Sequence, residues 1–131
     1  MTKLFVSYSQ RDAELGQRFE VALRNLGIQT INPLRDMRPG ENWRKSIQVA
    51  IKQSDGVVTL ASTPHSLSSG WRSYELGIAE ALDKPVMLLL PNRYPVTELP
   101  ADFASTQIVE FDPEAPDRAA HDITSRLASA A

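Results

Sequence analysis

In Ser68-Ser69-Gly70-Trp71-Arg72-Ser73-Tyr74-Glu75-Leu76 a carboxylate stands where a helix would bury hydrocarbon. Continued as a helix, the stretch places Tyr74, Gly77, Ile78, Ala81 and Leu82 at the spacing of an apolar stripe. At about 100° per residue, Trp71, Ile78 and Leu82 fall within about 40° of one another, and Glu75 lands between Leu82 and Ala79, inside the stripe. A carboxylate held against aromatic and aliphatic neighbours loses hydration, which raises its pKa unless hydrogen bonds or a cationic ligand favour the charged form. Trp71 and Glu75 share one helix face, so a large flat ring and a carboxylate stand side by side at the border of a crevice. The pair suits a ligand with a flat part and a cationic part. The simpler account of Glu75 is an acid near a helix N-terminus, stabilised by the macrodipole and pointing into water. That account weakens once Trp71 is set beside it.

Alternating strands and helices must position this pair. Leu4 to Tyr8 reads as a first strand, and Arg11 to Leu26 as a helix with Leu15, Phe19, Ala22, Leu23 and Leu26 on one face and Gly27 as its stop. Ile28 to Ile31 is a short second strand. Asn32 to Gly40, with two prolines and a glycine, is a loop, after which Trp43, Ile47, Ala50 and Ile51 repeat helically. Val57 to Ala61 and Val86 to Leu90 are near-continuously apolar, as central parallel strands tend to be. Pro91 to Pro100 is a rigid irregular connection, Ile108 to Phe111 an edge strand, and Asp117 to Leu127 a last helix. This order predicts an α/β fold with a parallel sheet covered on both faces. For strand order 2-1-3-4-5 the ligand crevice opens beyond the carboxyl ends of strands one and three. There the chain offers Tyr8-Ser9-Gln10-Arg11 and Ser62 to Gly70, the latter leading into Trp71 and Glu75.

Composition narrows the chemistry. A chain of 131 residues, 42% hydrophobic, predicts one compact domain over 1–131. The formal charge of −2, without a basic run, argues against a nucleic-acid partner. Cysteine is absent, which removes disulfides, thiolate metal sites and cysteine nucleophiles, and His65 and His121 lack metal-ligand spacing and read as surface residues. No metal is expected. No apolar run has the length of a signal peptide or membrane span, so the expected location is cytoplasmic, without a membrane partner. Internal repeats are absent, and Leu127 to Ala131 reads as a frayed helix or the start of a linker.

Phe5-Val6-Ser7-Tyr8-Ser9 with Asp12, then Arg35-Asp36 with Pro39-Gly40-Glu41 and Trp43, then Ser69, Trp71 and Glu75-Leu76, with Lys84-Pro85-Val86 opening a strand, resembles the Toll/interleukin-1 receptor (TIR) domain family. The resemblance, to the bacterial-type NAD-cleaving branch, runs from Leu4 to about Leu90. It implies a flavodoxin-like three-layer fold with a five-stranded parallel sheet in the order 2-1-3-4-5. It also implies cleavage of NAD, as substrate and not as a bound cofactor, at the nicotinamide-ribose bond, with Glu75 as the catalytic group. The loop from Arg35 to Asn42, including Asp36, Arg38, Pro39, Gly40 and Glu41, would mediate self-association into a homo-oligomer or filament. Antiviral or cell-death signalling, with a sensor domain or protein as trigger, is the implied setting.

Loss of nicotinamide leaves positive charge spread over the ribose C1′ and ring oxygen, which a nearby carboxylate stabilises. In this arrangement Trp71 covers ribose or nicotinamide, Tyr8 and Ser9 line the strand-one wall, and Trp43 borders the opening. Tyr8 has a competing role as a strand-end packing residue, and Trp43 has one as a core residue. The family often has a basic residue just after the tyrosine; here Ser9 and Gln10 follow, with Arg11 or Arg35 as substitutes. Two other readings compete. One is a non-enzymatic TIR adaptor, the other a nucleoside deoxyribosyltransferase-like enzyme in which Glu75 attacks covalently. A phosphoacceptor receiver is disfavoured because Leu60-Ala61-Ser62 ends the third strand without an aspartate, and no glycine-rich phosphate loop supports a dinucleotide-binding dehydrogenase. The product, whether linear ADP-ribose, a cyclic isomer or an exchanged base, depends on which nucleophile reaches C1′.

Overall fold

The computed structural model describes residues 2–32, 42–63, 70–92 and 106–130. Strand β1 is Lys3–Ser7, followed by a single 3-10 turn at Gln10–Asp12 and helix α1 at Ala13–Asn25. Next come β2 at Gln29–Ile31, α2 at Trp43–Gln53 and β3 at Gly56–Leu60. Helix α3 is Gly70–Ala81, β4 is Val86–Pro91, β5 is Gln107–Phe111 and α4 is Pro116–Ala130. The strands form one parallel sheet in the order β2-β1-β3-β4-β5. Sheet, order and edge strand agree with the sequence reading. The first helix differs at its start, where the 3-10 turn precedes the α-helix. The last runs past Leu127 into the alanine-rich end.

Each strand serves two helical layers, because successive side chains point to opposite faces. Leu4 and Val6 of β1, Val58 and Leu60 of β3, and Met87 and Leu89 of β4 face one layer, where Phe19 and Leu23 of α1 and Ile123 of α4 cover them. Phe5 and Val57 face the other, against Ile47 and Ile51 of α2 and Ala79 of α3. Ala61, Leu88 and Leu90 lie under Leu76 of α3. Ser7, two residues beyond Phe5, therefore points toward the α2/α3 layer.

Chain reversals have local causes. Gly27 takes φ 82° beyond the end of α1, where its N–H donates to the Arg24 carbonyl and that of Ile28 to the Leu23 carbonyl, a left-handed helix stop. Asn42 caps α2, its side-chain oxygen accepting from the N–H groups of Arg44 (3.2 Å) and Lys45 (3.3 Å). After α3 the chain turns at Asp83, with φ 54°, and enters β4.

Gly16, buried on α1, lies so close to the Tyr8 ring that a Cβ there would overlap it. The Tyr8 hydroxyl is tied to Glu20, so the ring cannot swing clear. Gly16→Ala is expected to destabilise the fold by about 1–3 kcal/mol, the usual cost of overpacking, despite alanine's higher helix propensity. Urea denaturation followed by circular dichroism measures it; an unchanged midpoint would show that Tyr8 yields.

Candidate active site

Glu75 lies on α3 and is 1% exposed. The Ser7 hydroxyl donates to its Oε2 at 2.7 Å. Ser7 is the last residue of β1 and stands in register beside Thr59 of β3, also buried. The carboxylate thus meets the carboxyl end of the sheet where strand order reverses, the crevice position expected for a doubly wound fold.

The buried face of α3 is Glu75, Leu76 and Ala79, with Tyr74 and Ile78 half-buried at its edge. Gly77, Ala81 and Leu82 are exposed, Leu82 by 40%, so the stripe read from the sequence is rotated. Leu76 sits on the sheet, Ala79 packs into the α2 cluster, and the turn at Asp83 leaves Leu82 beyond the packed part of the helix. Glu75 lies inside the buried face, deeper than Ile78.

A second buried carboxyl joins the two loops of the crevice. Asp12, 3% exposed, accepts from the Ser62 N–H at 3.2 Å and from the Ser62 hydroxyl, and weakly from the Ser9 hydroxyl at 3.5 Å. The turn after β1 is thereby clasped to the chain leaving β3. Ser9 and Asp12 border the expected crevice, and Arg11 between them is exposed.

Tyr8 turns to the other layer. Its ring packs against the α1 side of the sheet and its hydroxyl donates to Glu20 Oε1 at 2.5 Å, while Thr30 donates to Glu20 Oε2 at 3.0 Å. The strand-one residue that touches Glu75 is Ser7, not Tyr8. Trp43 is half-buried on the α2 cluster, its ring edge-on to Tyr74 with centroids 5.6 Å apart, and Arg44 lies over its face at 5.2 Å. Gln48 donates to the Tyr74 hydroxyl at 2.7 Å, which in turn donates to the Arg44 carbonyl at 3.3 Å. Trp43 accordingly packs α2 against α3. The side chain of Trp71, and Arg35, Asp36, Arg38, Pro39, Gly40 and Glu41, lie outside the described residues, as does His65.

Open grooves formed by described residues lie elsewhere. One of about 450 Å³ runs beside Ile31, Asn42, Lys45 and Val49, and another of about 500 Å³ runs between α1 and α4. Buried polar chemistry, rather than groove size, therefore marks the candidate site. Sequence reading overlooked Ser7 as a partner of Glu75, although its alternation with Phe5 placed it on the right face. It also overlooked Glu20, fully buried, whose spacing with Gly16 and Leu23 was the available signal. No helix among the described residues is long and apolar enough to cross a membrane.

Asp12→Ala is expected to cost about 1–3 kcal/mol in denaturant unfolding, because it strands the Ser62 N–H and hydroxyl at a partly buried place. Asp12→Asn, which keeps one acceptor, should lose less. Equal losses in the two variants would assign the cost to charge rather than to the clasp.

No curated protein sequence matches the chain significantly. Among solved structures, the TIR domain of the Toll-related receptor TRR-2 from Hydra magnipapillata is similar with a TM-score of 0.73 and 20% identity, covering 95% of this chain and 96% of that one. The TIR-STING receptor from C. gigas, solved with 2′,3′-cGAMP, is similar with a TM-score of 0.73 and 23% identity over 95% of this chain, which spans 38% of that receptor's length. The CMP N-glycosidase BcmB of Clostridium botulinum has a TM-score of 0.63 and 15% identity, covering 95% of this chain and 99% of that one. At these identities the likeness is one of fold. The family model of the TIR domain matches residues 4–125, and with the five-stranded parallel sheet this establishes that the chain belongs to the TIR domain family.

Proposed function

We propose that this TIR domain is an NAD nucleosidase of the bacterial-type branch, cleaving the nicotinamide-ribose bond to give nicotinamide and ADP-ribose or a cyclic isomer. The observation that carries the reading is Glu75, a carboxylate 1% exposed at the carboxyl end of β1 with a hydrogen bond from Ser7. Burying a carboxylate costs free energy that hydrogen bonds must offset, and Glu75, unlike the equally buried Glu20 of the opposite layer, is buried at the crevice end of the sheet. The N-glycosidase activity named for the C. botulinum protein of similar fold is in keeping with glycosidic chemistry on this fold.

In this mechanism the bond between C1′ and the nicotinamide nitrogen breaks and its electron pair leaves with nicotinamide, whose ring becomes neutral. Positive charge develops at C1′ and the ribose ring oxygen, and Glu75 stabilises it electrostatically while holding ribose hydroxyls. Water, or a nucleophile within the ADP-ribosyl group, then adds to C1′. Trp71 covers the leaving base or ribose. Ser9 and Arg11, at the turn after β1, orient the rest of the dinucleotide.

Glu75→Gln keeps the shape of the side chain and removes its charge, so nicotinamide release is expected to fall by about 10² or more, with Glu75→Ala at least as low. Chromatographic detection of free nicotinamide, with circular dichroism as a folding control, checks it. Wild-type turnover in Glu75→Gln would overturn the chemistry. A correctly folded wild-type domain that releases no nicotinamide would leave the adaptor reading, and a trapped glycosyl-enzyme would favour the deoxyribosyltransferase-like one.

Activity also depends, in this reading, on self-association through Arg35 to Asn42. The segment joins Pro39 and Gly40 with the charges of Arg35, Asp36, Arg38 and Glu41, a composition suited to a presented surface. A head-to-tail contact of this kind propagates as a filament unless it closes. Immune or cell-death signalling triggered by a sensor follows as the setting. Asp36→Lys is expected to lower specific activity steeply at dilute protein and to shrink the oligomer seen by light scattering, with little change in thermal stability. Constant turnover per subunit across a dilution series, with only monomer in solution, would exclude this dependence.

A further inference from the structure

Ser7 ends β1 and is held in register beside Thr59, so its backbone is fixed by the sheet. Strand alternation turns it toward α3, and its hydroxyl stands 2.7 Å from Glu75 Oε2 inside a site where both residues are 1% exposed. A glutamate side chain has three torsions, and the helix backbone restricts χ1 but does not by itself orient the carboxylate. A rigid donor at the end of a central strand does.

We propose that Ser7 is a positioning residue: its hydroxyl donates to Oε2, fixes the orientation of the Glu75 carboxylate and favours the charged form. The inference rests on the reading of Glu75 as the catalytic carboxylate. Among the described residues, the sheet under α3 presents apolar side chains with the hydroxyls of Ser7 and Thr59, and Arg44, Lys45 and Lys52 of α2 are exposed. The Tyr74 phenol is engaged with Gln48 and the Arg44 carbonyl, and Asp12 at the same end of the sheet is bound to Ser62. A hydrogen bond to a carboxylate in such a place lowers its pKa, so losing the donor raises it.

The test is a carbon-13 NMR titration of the Glu75 side-chain carboxyl in the full chain, with nicotinamide release from NAD measured on the same samples. Ser7→Ala is expected to raise the Glu75 pKa by about one pH unit, to lower kcat about tenfold with KM within about twofold, and to move the acid limb of the rate profile upward. Ser7→Thr keeps the hydroxyl and should return all three toward wild type. If Ser7→Ala loses the native circular dichroism spectrum, Ser7→Cys, a weaker donor of similar size, takes its place with shifts in the same direction. A Glu75 pKa that stays put or falls on removal of the hydroxyl would overturn the proposal, as would a folded Ser7→Thr that behaves like Ser7→Ala. A wild-type domain that releases no nicotinamide removes the NAD-cleaving function, while the titration still decides the role of Ser7.

Discussion

A parallel sheet has to be covered on both faces, and every strand of this one divides its side chains between two helical layers. From that constraint the rest follows. The chain covers one face with α1 on its way from β1 to β2 and the other with α2 on its way from β2 to β3, and this reversal of strand order opens the crevice at the carboxyl ends of β1 and β3. Helix α3 begins near that end, with Leu76 on Ala61, Leu88 and Leu90, and runs back along the sheet to pack Ala79 against Phe5 and Val57. Glu75 is carried in with them.

Burial of polar groups is the cost of this arrangement, and the structure meets it with short cross-links between segments distant in sequence. Ser7 reaches Glu75, Asp12 reaches Ser62, and Glu20 is gripped by Tyr8 and Thr30. The first two gather at the carboxyl end of the sheet. The third lies in the opposite layer, where it joins α1 to β2 and to the chain after β1. Position in the fold thus separates Glu75 and Asp12, at the crevice end of the sheet, from Glu20, which ties elements together in the opposite layer.

Strands β3 and β4 were legible because apolar runs between turn signals leave little alternative, and α1 because its face and its Gly27 stop agree. The burial of Glu75 was legible in part, from its place beside Ala79 and on one face with Trp71, although Leu82 on its other side is exposed. The exact edge of α3 was not, since it depends on where the chain turns at Asp83, a backbone event with no side-chain periodicity to announce it. Tyr8 had two competing roles. It follows the last paired residue of β1, where alternation with Leu4 and Val6 points it to the α1 layer, and the contact with Gly16 and the bond to Glu20 hold it there. Trp43 showed an apolar helical position, and the structure gives it one, with Tyr74 rather than the sheet as its aromatic neighbour.

Tyr74 is the residue immediately before Glu75, and it is fastened to the first turns of α2 by a ring edge and two hydrogen bonds. The two helices consequently cannot slide along each other without breaking contacts at this one place. Helix α2 begins at Trp43, so its first turns are joined through Tyr74 to the stretch of backbone that carries the buried carboxylate.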